Sequence, residues 1–140
     1  MEKEILEYLK SKTPKFCVMS TISRDNKPEC AVMGYSIFDD LTLLLSTHNT
    51  SRKWINLKNN PNVAIAIGWS FTEMFVQSEG VVELIFEDGE YTKCEEFHFS
   101  QNPEAKKFKS PETVYIKVKP KWIRLSDYTK LPPRIEEKNI

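Results

Sequence analysis

"THNTSRKWINLKNNPNVAIAIGW", residues 47–69, carries three signals in a row. A helix opens after Thr50 or Asn49, either of which is a good N-cap, and it closes before Pro61, which disfavours helical geometry at Asn60. The "NVAIAIGW" that follows is nearly continuous apolar sequence of strand length, read as a strand covered on both faces. The helix carries Arg52 and Lys53 in its first turn. That end of a helix already bears about half a positive charge, so cations there are mildly unfavourable. Either a surface helix tolerates a cost of about 0.3–1 kcal/mol, or an anion belongs in that place. A phosphate would meet the N–H groups of Ser51, Arg52, Lys53 and Trp54, the hydroxyls of Thr47, Thr50 and Ser51, and both charges at once.

On the N-terminal side, Ile5, Leu6 and Leu9 recur at helical spacing among charged residues, which predicts a helix over residues 2–12, stopped by Thr13-Pro14. "FCVMSTISRDNKPECAVMGYSIFDD" then reads as two strands joined by a turn at residues 24–28, the second running over 29–38. "LTLLLST" is a third strand, residues 41–47. After the quoted stretch, "EMFVQSEGVVELIF" is a long strand in which Gly80 marks a bulge or sharp bend. Asp88-Gly89 turns the chain into a helix over 90–99, with Tyr91, Cys94 and Phe97 on one side, and "ETVYIKVKPKWIRLSD" is the last strand. The tail, residues 128–140, is polar and proline-bearing; it is expected either to be loose or to lie over a neighbouring copy. The order is helix, three strands, helix, two strands, helix, strand, with hairpin links and no βαβ rhythm. That order predicts a mainly β fold with flanking helices, a six-stranded antiparallel barrel whose closure hides its strand edges, in a single domain over residues 1–140.

Twenty basic residues balance twenty acidic ones, which argues against non-specific nucleic-acid binding and against an oligonucleotide-binding barrel. Cys17, Cys30 and Cys94 are odd in number, widely spaced and free of any CxxC pair, so neither a disulfide framework nor a zinc finger is indicated, and reduced thiols suit the cytoplasm. No apolar run approaches a membrane span, and the charged "MEKEILEYLKSK" start lacks the core of a signal peptide. Cys94 and His98, at i and i+4, could face one metal, but two ligands do not make a zinc site; a buried Cys beside a partly exposed His is the expectation. His48 is either a further donor to the phosphate or a solvated loop residue. No nucleophile–base arrangement or carboxylate pair stands out, which suits a protein whose cofactor carries the chemistry.

Taken together, "CVMSTISRDNKPECAVMGY", "LTLLLSTHNTSRKWINLKNNPNVAIAI" and "FVQSEGVVEL" resemble the pyridoxamine 5′-phosphate oxidase-like family of FMN-binding split β-barrels, over residues 15–85 and more loosely the final strand. The resemblance implies a homodimer of six-stranded antiparallel split barrels of Greek-key type, with two FMN sites at the interface and a small-molecule substrate or electron donor. It places the family's phosphate-binding Arg-Lys pair on Arg52 and Lys53, beside Ser51. The strand end that lies along the ribityl chain falls on Ser46 and Thr47. The strand whose backbone faces the isoalloxazine ring falls on Val32, Met33, Gly34 and Tyr35. A polar neighbour of the flavin falls on Gln77, although a shift of two residues would put Phe75 there. Trp54 reads as core or as a flavin neighbour. The family's Arg-x-His substrate motif is absent, since Arg124 is followed by Leu125 and Ser126, so vitamin B6 oxidation is not implied. The alternative function is a non-catalytic flavin or haem carrier or a stress-related binding module, with His48 and His98 as minor haem candidates.

Overall fold

The computed structural model describes residues 1–86 and 88–140. Helix α1, Glu2–Ser11, buries Ile5 and Leu9 and ends ahead of Thr13-Pro14. Strands β1 (Phe16–Ile22), β2 (Pro28–Ile37) and β3 (Leu43–His48) form a meander. Helix α2, Arg52–Asn59, carries the chain across to β4, Asn62–Ile67, which returns beside β1. This spatial order, β4-β1-β2-β3, is a Greek key. Strand β5 (Met74–Ile85) pairs with β4 and with β6 (Thr113–Asp127), and the first half of β6 closes the ring on β3. The result is the expected mainly β fold, a six-stranded antiparallel split β-barrel with flanking helices.

Apolar alternation fills the barrel. Cys17, Met19, Met33, Tyr35, Leu43, Leu45, Val63, Ile65, Ile67, Val76, Ile116 and Val118 turn inward, and Trp54 and Leu57 of α2 join them. Trp54 is therefore a core residue. Helix α3, Asp88–Gln101, continues into a 3₁₀ helix, Pro103–Phe108, and packs outside the barrel on Leu44, Ile85 and Tyr115 through Cys94, Tyr91 and Phe97. Its C-terminal end is stitched to β2. Gln101 accepts from the Ile37 N–H at 3.0 Å and donates to the Ile37 carbonyl at 3.0 Å, and Asn102 donates to the Tyr35 carbonyl at 2.8 Å.

Four expectations are corrected. The tail contains a seventh strand, β7 (Arg134–Asn139), paired with the second half of β6. It is held to α1 by ion pairs of Arg134 with Glu4 at 2.7 Å and Lys138 with Glu2 at 2.5 Å. Helix α3 begins at Asp88, so Asp88-Gly89 belongs to the helix and not to a preceding turn. His98 is buried, 2% exposed, where a partly exposed ring was expected. Finally, within a single chain β4 is covered on one face only: Val63, Ile65 and Ile67 point into the core while Ala64 and Ala66 are exposed.

Candidate functional site

The start of α2 sits over the β1–β2 hairpin. Its N-cap is Ser51, not Thr50 or Asn49, because the turn before it is closed by Ser51 N–H donating to the His48 carbonyl and Asn49 N–H donating to the Glu112 carbonyl. Ser51 Oγ accepts from the Trp54 N–H at 3.3 Å. Of the four N–H groups expected to be open, those of Arg52 and Lys53 remain without an intrahelical acceptor, the usual state of a first turn.

Three side chains gather there. Thr47 Oγ1 donates to Ser51 Oγ at 3.1 Å, and Lys53 Nζ donates to Thr47 Oγ1 at 3.4 Å. Lys53 is partly buried, and no carboxylate pairs with it among the described residues. Burial first, and the adjacent Arg52 charge second, push its pKa below the ordinary lysine value. A cation in that position is short of an anion. Arg52 is different: its side chain is 74% exposed and its Nε lies 3.1 Å from Oε1 of Glu29. Between Arg52, Lys53, Glu29, Cys30, Ala31, Met19 and Thr21 lies a pocket of about 70 Å³. That is roughly two waters' share of liquid volume, and the pocket is open to solvent on one side.

Next to this pocket the barrel splits. Tyr35 N–H donates to the Lys15 carbonyl, on the β1 side of β2. Antiparallel alternation then turns the backbone groups of Val32 and Gly34 the other way, toward β3. Yet the β2–β3 ladder ends at Tyr35 with Leu45, and Ser46, Thr47 and His48 pair with β6 instead. The Val32–Gly34 edge of β2 is therefore open to a ligand. Val32 itself is 67% exposed, whereas Met33 and Tyr35 send their side chains into the core, Tyr35 donating to the Leu9 carbonyl at 2.7 Å.

The remaining expected site residues are placed apart. Strand alternation turns the Thr47 side chain toward α2 and those of Ser46 and His48 the other way, yet all three line a pocket of about 220 Å³ with Phe99, Phe108, Lys109 and Thr113. Gln77 is exposed on β5 and lines a third pocket, of about 320 Å³, beside Phe71, Phe75 and Tyr128. One chain thus brings together Thr47, Ser51, Arg52, Lys53 and the β2 edge, with Ser46 reaching them through the pocket it shares with Thr47, and leaves Gln77 apart. Glu29, Asn56 and Thr21 were missed in the sequence. Asn56 Nδ2 donates to Glu29 Oε1 at 2.8 Å and to Thr21 Oγ1 at 3.0 Å. The available signal was that Asn56 stands one helical turn after Arg52, and that a tight hairpin turn pairs Thr21 with Glu29.

His98 Nδ1 lies 2.8 Å from Ser36 Oγ, and no group of three potential metal ligands occurs among the described residues. Nor is any helix among them long and apolar enough to cross a membrane.

This six-stranded split barrel is a fold seen in known proteins. Residues 1–127 match the family model for pyridoxamine 5′-phosphate oxidase, and the chain belongs to that family. It is 31% identical over 74 residues to the pyridoxine/pyridoxamine 5′-phosphate oxidase of Ehrlichia chaffeensis, a match covering 53% of this chain and 37% of the relative. The matched segment thus spans little more than a third of that relative's length. Among solved structures, the chain superposes on a pyridoxamine 5′-phosphate oxidase-related, FMN binding protein from Nostoc punctiforme with a TM-score of 0.72 at 11% identity, over 99% of this chain and 94% of the other. It superposes equally, TM-score 0.72, on General Stress Protein 26 from Bacillus anthracis, at 26% identity over 97% and 98% of the two chains.

Proposed function

We propose that this chain binds FMN non-covalently as a homodimer and works as a flavin-dependent oxidoreductase on a small substrate. The observation that carries the reading is Lys53, a partly buried cation with no carboxylate partner among the described residues, set beside the Thr47 and Ser51 hydroxyls and the open N–H groups of α2. A phosphate dianion supplies what that corner lacks. The name of the Nostoc neighbour, an FMN binding protein, agrees with this choice of ligand. The open backbone edge at Val32 and Gly34 lies next to the pocket and offers N–H donors to the polar rim of a flavin. FMN, when bound, would supply the redox chemistry, and the chain's residues hold its phosphate and orient its ring.

A second copy would complete the site. Outward-facing Val32, Val18, Ala66, Ser20 and Ala64 are cross-strand neighbours over β2, β1 and β4, and they make a smooth face of small or apolar residues. Gln77 stands opposite Ala66 on the next strand, so a partner docked on this face meets it. Unpaired cysteines support a reducing compartment such as the cytoplasm. Vitamin B6 oxidation is left out of the proposal, because Arg124 lies within β6 with its Nη1 3.6 Å from Glu137 of β7 and no histidine beside it.

The absorption spectrum of the purified protein tests the reading. Flavin bands, or tight uptake of added FMN, are expected. A Soret band would replace flavin with haem, and colourless protein with no FMN affinity would overturn the proposal. Bleaching of the bound flavin by a reduced nicotinamide separates an enzyme from a carrier.

A further inference from the structure

Glu29 is an unexpected wall for an anion pocket. Its carboxylate is largely enclosed, 19% exposed, and stands against Arg52 where a phosphate would come. A carboxylate placed at random there would only repel the ligand. This one is fixed. Oε1 takes a hydrogen bond from Asn56 at 2.8 Å, and the same Asn56 amide is anchored to Thr21 at 3.0 Å. Asn56 is itself buried, 5% exposed. Thr21 and Glu29 are cross-strand partners on β1 and β2, and Arg52 and Asn56 are one turn apart on α2. The four residues therefore lock the helix start to the hairpin.

The contact that Glu29 makes to Arg52 matters as much. The carboxylate approaches Nε, the inner nitrogen of the guanidinium. A phosphate binds a guanidinium best through two parallel N–H groups. The contact is an ion pair without hydrogen-bond alignment, the terminal NH₂ groups stay free, and among the described residues they donate to nothing else. An arginine side chain that is 74% exposed would otherwise sample many rotamers.

We propose that Glu29 is the positioning residue of the phosphate pocket: through Asn56 and Thr21 it holds Arg52 by Nε so that its terminal N–H groups face the incoming phosphate. The inference rests on the phosphate reading of the pocket. It makes the negative charge of Glu29 the hold on Arg52, since the contact is an ion pair.

Two substitutions test this. Glu29→Gln keeps the side-chain length and the oxygen that Asn56 bonds but removes the charge, whereas Glu29→Ala removes all three. FMN and riboflavin affinities are measured by flavin fluorescence, since riboflavin has the ring and lacks the phosphate. Expected is a loss of about tenfold in FMN affinity for both variants, the size of one hydrogen bond to a charged group, with riboflavin binding unmoved in both. FMN binding as tight as the parent's or tighter in either variant, or an equal loss of riboflavin, would overturn the role. Inorganic phosphate repeats the comparison without a flavin, read on the backbone NMR signals of Arg52 and Lys53 and the Nε–H signal of Arg52. If phosphate shifts these signals in the parent but only weakly in both variants, the positioning role stands even where FMN fails to bind, and only the flavin reading falls. Absent or equal shifts in all three remove the role.

Discussion

Lys53 and Arg52 are adjacent in sequence, yet their surroundings differ. Lys53 is partly buried with a hydroxyl at 3.4 Å as its sole hydrogen-bond partner among the described residues, and Arg52 is solvated and already paired with Glu29. Replacing Lys53 by Ala should weaken FMN binding by about 1.5–3 kcal/mol, and replacing Arg52 by Ala should cost less. The ligand-free Lys53→Ala protein should melt no lower than the parent, because it loses an unpaired charge; titration with FMN and a thermal scan check both halves. His98 makes a separate prediction. Burial holds its pKa down to about 4, against an ordinary value of 6.5, with Glu104 opposing weakly. The unfolded chain therefore takes up this proton first, so stability is full above about pH 6.5 and declines as the pH falls toward about 4. The loss approaches about 3 kcal/mol at about 1.4 kcal/mol per unit. Urea midpoints at neutral and mildly acid pH, compared between the parent and His98→Asn, should show this slope in the parent and a shallower one in the variant.

The β5–β6 ladder is irregular where the sequence suggested, at Gly80. The register with β6 slips between Glu79 and Gly80, so that Glu79 faces Trp122, Gly80 faces Pro120, and Lys121 is the extra residue. A Cβ on Gly80 would stand 2.4 Å from the Lys119 carbonyl oxygen. That oxygen belongs to the backbone of the neighbouring strand and has little room to move, so Gly80→Ala should destabilise by about 1–3 kcal/mol, seen as a lower denaturant midpoint. Gly80 could be read because a glycine weakens the interior of a strand unless the chain bends there or another backbone comes close. The α2–β4 passage could be read because Pro61 and the apolar run leave little choice. Strand β7 could not: Arg134, Glu136, Glu137 and Lys138 show no apolar alternation, and what makes them a strand is the free edge of β6 together with ion pairs to α1. The N-cap was one of three consecutive polar residues, and the hydrogen bonds of the turn decided among them. Within the pocket, the cations were visible as a charge conflict with the helix dipole. Glu29 was hidden because it meets Arg52 only after the hairpin and the helix have packed.

The barrel as a unit leaves one outer face bare. If a second copy covers it, a charge at its middle should split the pair without disturbing the core, since Ala66 is exposed and its neighbour Ile67 holds the inner face. Light scattering should show a dimer for the parent and a monomer for Ala66→Glu, with FMN affinity falling alongside; a monomeric parent with full flavin affinity would sink the paired site. The seam of the ring has another implication, for how the chain reaches this state at all. The ladder that closes it joins Leu43 to Val118 and His48 to Thr113, strands separated by half the sequence. Such distant pairing carries a loop-closure cost before it returns any contact, which puts refolding in the range of about milliseconds to seconds. Until that ladder zips, the flanks of β3 and β6 are both unsatisfied and able to pair with another molecule. The step that finishes the barrel is thus also the interval in which a newly made chain is most prone to aggregate, and refolding yield should fall as protein concentration rises.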